Sequence, residues 1–135
     1  MPVYLMNIAL IFFWAFLFLY IKPTLCKKKI FCTLACIQWV LLSGLRGIDV
    51  GDDTFSYKIT FNIIRNTSWH RVFDNIVKYI GGAEIKDPGY ALFVKIFQVF
   101  STNYQVYLIF IALLFMIPMA IWIYRNSSMP CLSFI

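Results

Sequence analysis

The chain has 135 residues, of which 61% are hydrophobic, 19% aromatic and only 13% charged. Soluble domains carry about 25% charged residues, so this composition excludes an ordinary soluble domain and indicates an all-α integral membrane protein. The net charge of +6 comes mostly from a lysine cluster that suits anionic lipid headgroups. Membrane lipids are therefore expected partners, and nucleic acid is not.

The first apolar run, residues 3–21, predicts a transmembrane helix. It contains no charged side chain, and at 1.5 Å per residue it is about 28 Å long, close to the thickness of a hydrocarbon core. A cleaved signal peptide is the alternative. It is disfavoured because no Lys or Arg precedes the run, the run is too long, and no small-x-small cleavage site follows it.

Two further apolar runs predict transmembrane helices over residues 30–45 and 104–124. The run 30–45 is short, but Lys29 and Arg46 can reach the two interfaces from its ends. The last residues of the chain turn apolar again and predict the start of a fourth transmembrane helix. We therefore expect a single membrane domain over residues 1–135, forming the N-terminal part of a longer polytopic protein.

Charge placement predicts the orientation of these spans. Residues 22–29 contain four lysines and no acid, Arg125 follows the third span, and all six acids lie between Arg46 and Lys95. Cytoplasmic loops are enriched in Lys and Arg. We therefore expect loop 22–29 in the cytoplasm and the long loop 46–103 on the extracytoplasmic side.

The long loop is predicted to contain helices of its own. Ser68 is placed to cap an amphipathic helix over residues 69–80, which two glycines end. This helix is expected to lie on the membrane surface or to cover the mouth of the bundle, with His70 solvated on its polar face. Residues 54–64 alternate as a strand would, but an isolated strand would leave its edges unpaired, so helix is predicted there too.

A last helix of the loop is predicted to begin at Asp87, as its N-cap, with Pro88 at its first position, and to run to Phe100. It is apolar almost all round and too short to cross a membrane. Lys95 and Gln98 share one of its faces. This pattern is typical of a helix half sunk in the outer leaflet or leaning into a cavity.

Four cysteines are present, and two of them, Cys32 and Cys36, share a face of the second predicted span. No His or carboxylate joins them, so they are interpreted as small core residues rather than metal ligands. We expect no disulfide on the cytoplasmic side, no metal site and no cofactor.

The most informative segment is 46–57, RGIDVGDDTFSY, which follows the second predicted span. Ionisable groups at a bilayer surface are costly and are usually retained for function. Further along the loop comes an acid-Pro-Gly-Tyr sequence, from Asp87 to Tyr90. In this order, between hydrophobic runs, these motifs resemble those of EpsG/Wzy-like polysaccharide polymerases. Two departures are Asp87, where the family more often has Glu, and Asp52, where Thr is commoner.

The resemblance implies a multi-span protein of the bacterial inner membrane that assembles exopolysaccharide, capsule or O-antigen. Such a protein joins repeat units carried on polyprenyl diphosphate, at the outer face, with a flippase and a chain-length regulator as possible partners. A complete member is expected to be a glycosyltransferase-type enzyme, and a piece lacking the remaining spans is expected to be inactive alone.

Residue roles follow from the resemblance. Arg46 is expected to bind the leaving diphosphate, and Asp53 is expected to take the proton of the acceptor hydroxyl. The resemblance also implies further substrate-binding residues, among which Lys95 is a second phosphate contact. It implies a set of turn residues as well. The substrate-binding residues are Tyr57, Asp87, Tyr90 and Lys95, and the turn residues are Gly51, Pro88 and Gly89.

Three of these residues also have a purely structural interpretation. Arg46 also fits a residue that flanks a span and reaches the headgroups. Asp53 also fits a helix cap or an ion-pair partner of Arg46, and Asp87 fits a helix cap. The alternative function is a non-catalytic small membrane subunit or transporter fragment that binds a lipid-linked or anionic partner.

Overall fold

The computed structural model describes residues 2–21, 24–47 and 52–135, without the side chains of Pro2 and Asp52. The described residues form seven α-helices and no strand. The helices are α1 (Pro2–Ala15), continued by a π-helical turn over Phe16–Tyr20, α2 (Leu25–Gly44), α3 (Asp52–Asn66), α4 (Trp69–Ile80), α5 (Pro88–Phe97), α6 (Tyr104–Asn126) and α7 (Pro130–Ser133). They belong to two compact units: unit 1 comprises Met1–Arg46 and Leu108–Ile135, and unit 2 comprises Gly47–Tyr107.

Two of the described helices are long and apolar enough to cross a membrane. They cover Val3–Tyr20 and Tyr104–Asn126, with hydropathies of 2.1 and 2.6, and correspond to the first and third predicted spans. Helix α2 has 20 residues, which gives about 30 Å of helix, but its lysines and glutamine make it less apolar. The all-α class is confirmed for the described residues, whereas three spans and the start of a fourth stay a prediction.

Helix α2 begins earlier than the predicted span 30–45. The Thr24 Oγ1 accepts a hydrogen bond from the Lys27 backbone N–H at 3.3 Å and so caps the helix. Residues from Leu25 onward are therefore helical, and the lysine cluster predicted in loop 22–29 lies mostly on the first turns of α2. The hydrophobic pattern missed this because the capped turns are polar.

Helix α2 runs antiparallel to α1 and to the unit 1 part of α6. Near the start of α2, the Lys28 Nζ donates to the Ser127 carbonyl oxygen, just past α6, at 2.8 Å. Near the other end of α2, Gly44 meets Ile109 of α6. The lysine cluster and the end of α6 that bears Arg125 therefore lie at the same end of unit 1, as the predicted orientation requires. Which side of the membrane this end faces stays a prediction.

A polar cluster joins α1 to α2 inside unit 1. The Gln38 Nε2 donates to the Asn7 side-chain oxygen at 2.6 Å and to the Asn7 carbonyl oxygen at 2.8 Å. The Trp14 Nε1 donates to the Gln38 Oε1 at 3.2 Å. Hydrogen bonds between helices in a bilayer contribute about 0.6 to 2 kcal/mol, so this cluster holds α2 against α1. The adjoining apolar core contains Ile11, Ala15, Phe31, Cys32, Ala35, Ala120, Ile123, Cys131 and Phe134.

Unit 2 contains α3, α4, α5 and the first residues of α6. Helix α3 confirms the preference for helix over strand in residues 54–64. Its buried residues, Thr54, Phe61 and Ile64, recur at helical spacing, although the apolar residues alternate in sequence. The alternation is misleading because Phe55 and Ile63 are exposed.

Helix α4 has the predicted bounds, 69–80. The Ser68 Oγ accepts a hydrogen bond from the Arg71 backbone N–H at 3.4 Å, and Gly82 follows the helix with φ +90°. Helix α5 begins at Pro88 as predicted but ends at Phe97, before the predicted end at residue 100. The remaining residues, Gln98 to Phe100, form turns.

Candidate functional site

The predicted catalytic residues lie in different units. Arg46 follows α2 in unit 1, and Asp53 lies in the first turn of α3 in unit 2; both side chains are exposed. The predicted turn at Gly51 lies outside the described residues and stays a prediction. In the part of the chain that the structure describes, no three His, Cys, Asp or Glu side chains gather as a metal site would require.

Two predicted substrate-binding residues, Tyr57 of α3 and Tyr90 of α5, are brought together. Their ring centres are 5.8 Å apart and their planes are inclined by 55°. Asp53 precedes Tyr57 by one helical turn and so shares its face of α3. Burial raises the pKa of the Tyr90 hydroxyl above its ordinary value. Like any neutral phenol, this hydroxyl can both donate and accept hydrogen bonds.

An aromatic cluster next to this pair holds α3 and α5 against the start of α6. The ring centre of Phe61 lies 5.5 Å from that of Tyr104 and 5.2 Å from that of Tyr107. The Phe97 ring centre lies 5.1 Å from that of Tyr107. Each such pair contributes about 0.5–1.5 kcal/mol beyond its buried area. Helices α3 and α5 are thereby held on the start of α6, which positions Tyr57 and Tyr90.

Asp87 occupies the N-cap position of α5, as predicted, but its side chain makes no capping hydrogen bond. Its backbone is left-handed, with φ 46° and ψ 55°, a conformation that is uncommon for residues other than glycine. The side chain of Asp87 is exposed. The carboxylate is therefore not committed to the helix end, and the first N–H groups of α5 have no side-chain cap.

A pocket of about 420 Å³ opens beside Asp87. It combines a carboxylate, an ammonium group and two phenol rings. The residues that line it are Tyr79, Ile85, Lys86, Asp87, Pro88, Gly89 and Tyr90. At Gly89 nothing lies within 4 Å of the point where a Cβ would stand, so a ligand can approach the uncapped N–H groups of the helix. This mixture of donors, acceptors and ring faces suits a ligand rich in hydroxyls.

Sequence reasoning missed two residues of this pocket, Tyr79 and Lys86. Tyr79 lies in the last turn of the amphipathic helix α4, and its sequence position gives no sign that it meets the start of α5. Lys86 was signalled only by its place directly before the Asp87 motif. Pro88 is buried at the first position of α5, as predicted. Gly89 lies in helix α5, and the space where a Cβ would stand is open. Packing within unit 2 therefore does not itself require glycine at this position.

Lys95 lies at a different part of unit 2, against the end of α3. Its Nζ donates to the carbonyl oxygens of Ile64 and Arg65, each at 3.1 Å. Gln98, predicted to share its face, donates through Nε2 to the Phe61 carbonyl oxygen at 2.7 Å. The last carbonyls of a helix lack intrahelical partners and attract cations. These contacts give Lys95 a structural role, and its role as a phosphate contact stays a prediction.

Replacing Lys95 by methionine separates these two roles. We expect the free energy of unfolding to fall by about 1–2 kcal/mol, because carbonyl oxygens at the end of α3 lose a charged donor. Denaturant unfolding of the purified protein in detergent measures this loss. Lys58→Met is the control, since the described residues supply no hydrogen-bond partner for Lys58. Unchanged stability together with lost polymer formation would instead favour the phosphate contact.

The fold and the site of the described residues define a class: an all-helical protein with two helices that are long and apolar enough to cross a membrane, and with a tyrosine-bearing helical unit. The model of the EpsG family matches residues 29–135 of the chain, a range that includes every candidate site residue. The chain therefore belongs to the EpsG family and is a membrane protein related to polysaccharide polymerases. No curated protein and no solved structure shows a significant match to it.

Proposed function

We propose that the protein is a polysaccharide polymerase of a bacterial inner membrane that joins repeat units carried on polyprenyl diphosphate. The observation that carries this proposal is the EpsG family match over residues 29–135. The match covers the charged segment after α2, the Tyr57–Tyr90 pair and the pocket at the start of α5. Exopolysaccharide, capsule and O-antigen are the proposed classes of product.

The proposed reaction takes place on the outer face of the membrane. In support, the cationic start of α2 and the cationic end of α6 lie together in unit 1, and such ends prefer the cytoplasm. Helix α2 then serves as the second span, which its 20 residues allow. Arg46 and the segment after it would emerge outside the cell, where lipid-linked repeat units are joined.

In the proposed reaction, a hydroxyl group of the acceptor sugar attacks the anomeric carbon of the donor glycan. The bond between that carbon and the diphosphate oxygen breaks, polyprenyl diphosphate leaves, and the hydroxyl proton passes to a base. Asp53 is proposed as the base, because its carboxylate is exposed at the start of α3. Arg46 is proposed to bind the leaving diphosphate, since a guanidinium group pairs with two phosphate oxygens at once.

The remaining residues are proposed to hold the sugars. The adjacent rings of Tyr57 and Tyr90 offer apolar faces to the C–H faces of a sugar ring and hydroxyls to its edge. The uncapped Asp87 carboxylate can accept hydrogen bonds from sugar hydroxyls. Lys95 stays proposed as a second phosphate contact. A flippase that supplies the lipid-linked units and a chain-length regulator are the proposed protein partners.

Deleting the gene from its host tests the proposed function. We expect long polymer to disappear and single lipid-linked repeat units to accumulate, because units are still supplied but are no longer joined. Electrophoresis of the polymer and mass spectrometry of the lipid extract measure the two effects. Polymer of altered length without accumulation of single units would contradict the proposal and favour a non-catalytic subunit.

Replacing Arg46 by alanine in the complete gene tests its proposed role. A charge-assisted hydrogen bond contributes about 1.5–3 kcal/mol, so the rate of polymer formation should fall on the order of 10- to 100-fold. Arg125→Ala is the matched control, because Arg125 is also exposed at the end of a long helix. Normal polymer from Arg46→Ala at equal membrane levels would remove this role.

A further inference from the structure

Helix α4 carries an apolar surface that the described residues leave uncovered. Val72, at one edge of its apolar arc, is buried, and α4 packs against α5 within unit 2. The rest of the arc consists of Ile76, which is half-buried, and of four exposed residues, which we name the open face of α4. They are Trp69, Phe73, Val77 and Ile80, with exposed fractions of 40%, 53%, 67% and 79%.

The opposite side of α4 is polar and suits water. Asp74 and Lys78 form an ion pair of 2.7 Å one turn apart, and Lys78 holds the pKa of Asp74 below its ordinary value. Arg71 and His70 lie on the same side. The helix therefore separates into an apolar strip and a charged strip along its whole length, the pattern of a helix that lies in the boundary between water and an apolar phase.

The chain itself brings unit 2 to such a boundary. Helix α6, whose first residues belong to unit 2, is apolar and long enough to cross a membrane. Val99 and Phe100, just before it, are 69% and 83% exposed. Unit 2 is therefore tied within a few residues to the point where the chain enters the bilayer, so lipid is the apolar phase within reach.

The environment of Trp69 agrees with lipid as the covering partner. Its ring stacks on that of Phe73, with centres 6.1 Å apart, and the Lys95 Nζ lies 5.9 Å from its centre. Tryptophan is enriched at the level of the headgroups, where its ring is apolar and its N–H group stays hydrated. Such a residue at the first turn of α4 marks the depth at which the helix would lie.

We propose that α4 lies in the surface of the lipid bilayer, parallel to the membrane plane. Its open face enters the boundary between headgroups and acyl chains, and its charged strip faces the water. The covering partner is lipid, not a second protein surface. This inference does not depend on the polymerase reaction.

Spin labels along α4 test the proposal in the complete protein, reconstituted in vesicles of phosphatidylethanolamine and phosphatidylglycerol. All cysteines, including Cys26, Cys32, Cys36 and Cys131, are first replaced by serine or alanine. Labels at Phe73, Val77 and Ile80 should collide often with oxygen, which concentrates in lipid, and rarely with a water-soluble nickel chelate. Labels at Arg71 and Lys78 should show the reverse, so that the ratio oscillates with the period of a helix.

Val72 supplies the internal reference for protein burial, since its label should collide rarely with both reagents. Open-face labels that behave like the one at Val72 would overturn the proposal and show that protein covers the strip. Open-face labels that meet the nickel chelate as often as the label at Arg71 would overturn it in favour of water. Where the cysteine-free protein does not fold, the test uses the protein with its native cysteines and measures how far brominated lipids quench its tryptophan fluorescence. The protein should lose more fluorescence than Trp69→Phe does, and equal losses would overturn the proposal.

Discussion

Replacing Asp53 by asparagine is expected to reduce polymer formation by at least about 100-fold, because a positioned general base contributes about 10²- to 10⁴-fold to a rate. Asparagine has nearly the same shape as aspartate and is equally suited to the start of a helix, so α3 should still form. It cannot take the proton of the acceptor hydroxyl. The measurement is the rate at which long polymer appears in a deletion strain that carries the variant gene.

Asp74→Asn is the matched control for this variant. Asp74 is a carboxylate of the same unit, but it pairs with Lys78 on the polar side of α4, away from the residues that the family resemblance singles out. An exposed ion pair contributes about 0–1 kcal/mol, so this variant should form polymer normally. Normal polymer from Asp53→Asn, at membrane levels equal to those of the control, would show that Asp53 is not the base.

Replacing Gly44 by leucine is expected to destabilise unit 1. A Cβ at this position would lie 2.8 Å from the Ile109 Cγ1 and 3.0 Å from the Ile109 Cα. The second atom belongs to the backbone, so α6 itself must move. Overpacking of this kind costs about 1–3 kcal/mol, and the gain of about 1 kcal/mol from replacing glycine in a helix does not offset it.

Denaturant unfolding in detergent measures the effect, with Gly47→Leu as the control. At Gly47 nothing lies within 4 Å of the point where a Cβ would stand, so this variant should unfold as the unchanged protein does. Adding Ile109→Ala to Gly44→Leu should restore part of the stability, because the side-chain clash disappears and the backbone clash stays. Equal stability of Gly44→Leu and Gly47→Leu would contradict the close approach of α2 and α6.

The same approach explains why a small residue occupies this place. Membrane helices gain little from hydrophobic burial against one another, since lipid is equally apolar, and they associate through close packing and hydrogen bonds instead. Unit 1 uses both: Gly44 lets α2 approach α6, and the bonds between Asn7 and Gln38 join α1 to α2. Such contacts suit α2 in a bilayer, and α2 as a span stays a prediction.

The candidate site shows how far motif and geometry agree. The sequence singled out Tyr57, Asp87 and Tyr90, and the structure joins the first to the third through their rings and places the second at a pocket. It gives Lys95 contacts with the end of α3 instead. Lys95 lies on the predicted face of its helix, but the sequence pattern does not predict which neighbouring helix packs against that face.

The sequence by itself determined the features that depend on neighbours along the chain. Composition gave the membrane class, helical periodicity gave the bounds of α4, and the serine and glycines at its ends gave its caps. The charge pattern also predicted that the lysine cluster and Arg125 share one end. These features are local or additive, because hydrogen bonds within a helix and the transfer of side chains to lipid need no distant partner.

Only the tertiary structure decided which distant side chains meet. It set Tyr79 and Lys86 beside Asp87, turned Lys95 toward the carbonyls of α3, and buried Val72 while leaving the open face of α4 uncovered. The physical reason is that such contacts depend on how whole helices pack. Many partners satisfy the same periodic pattern, and close packing selects among them only once every helix is in place.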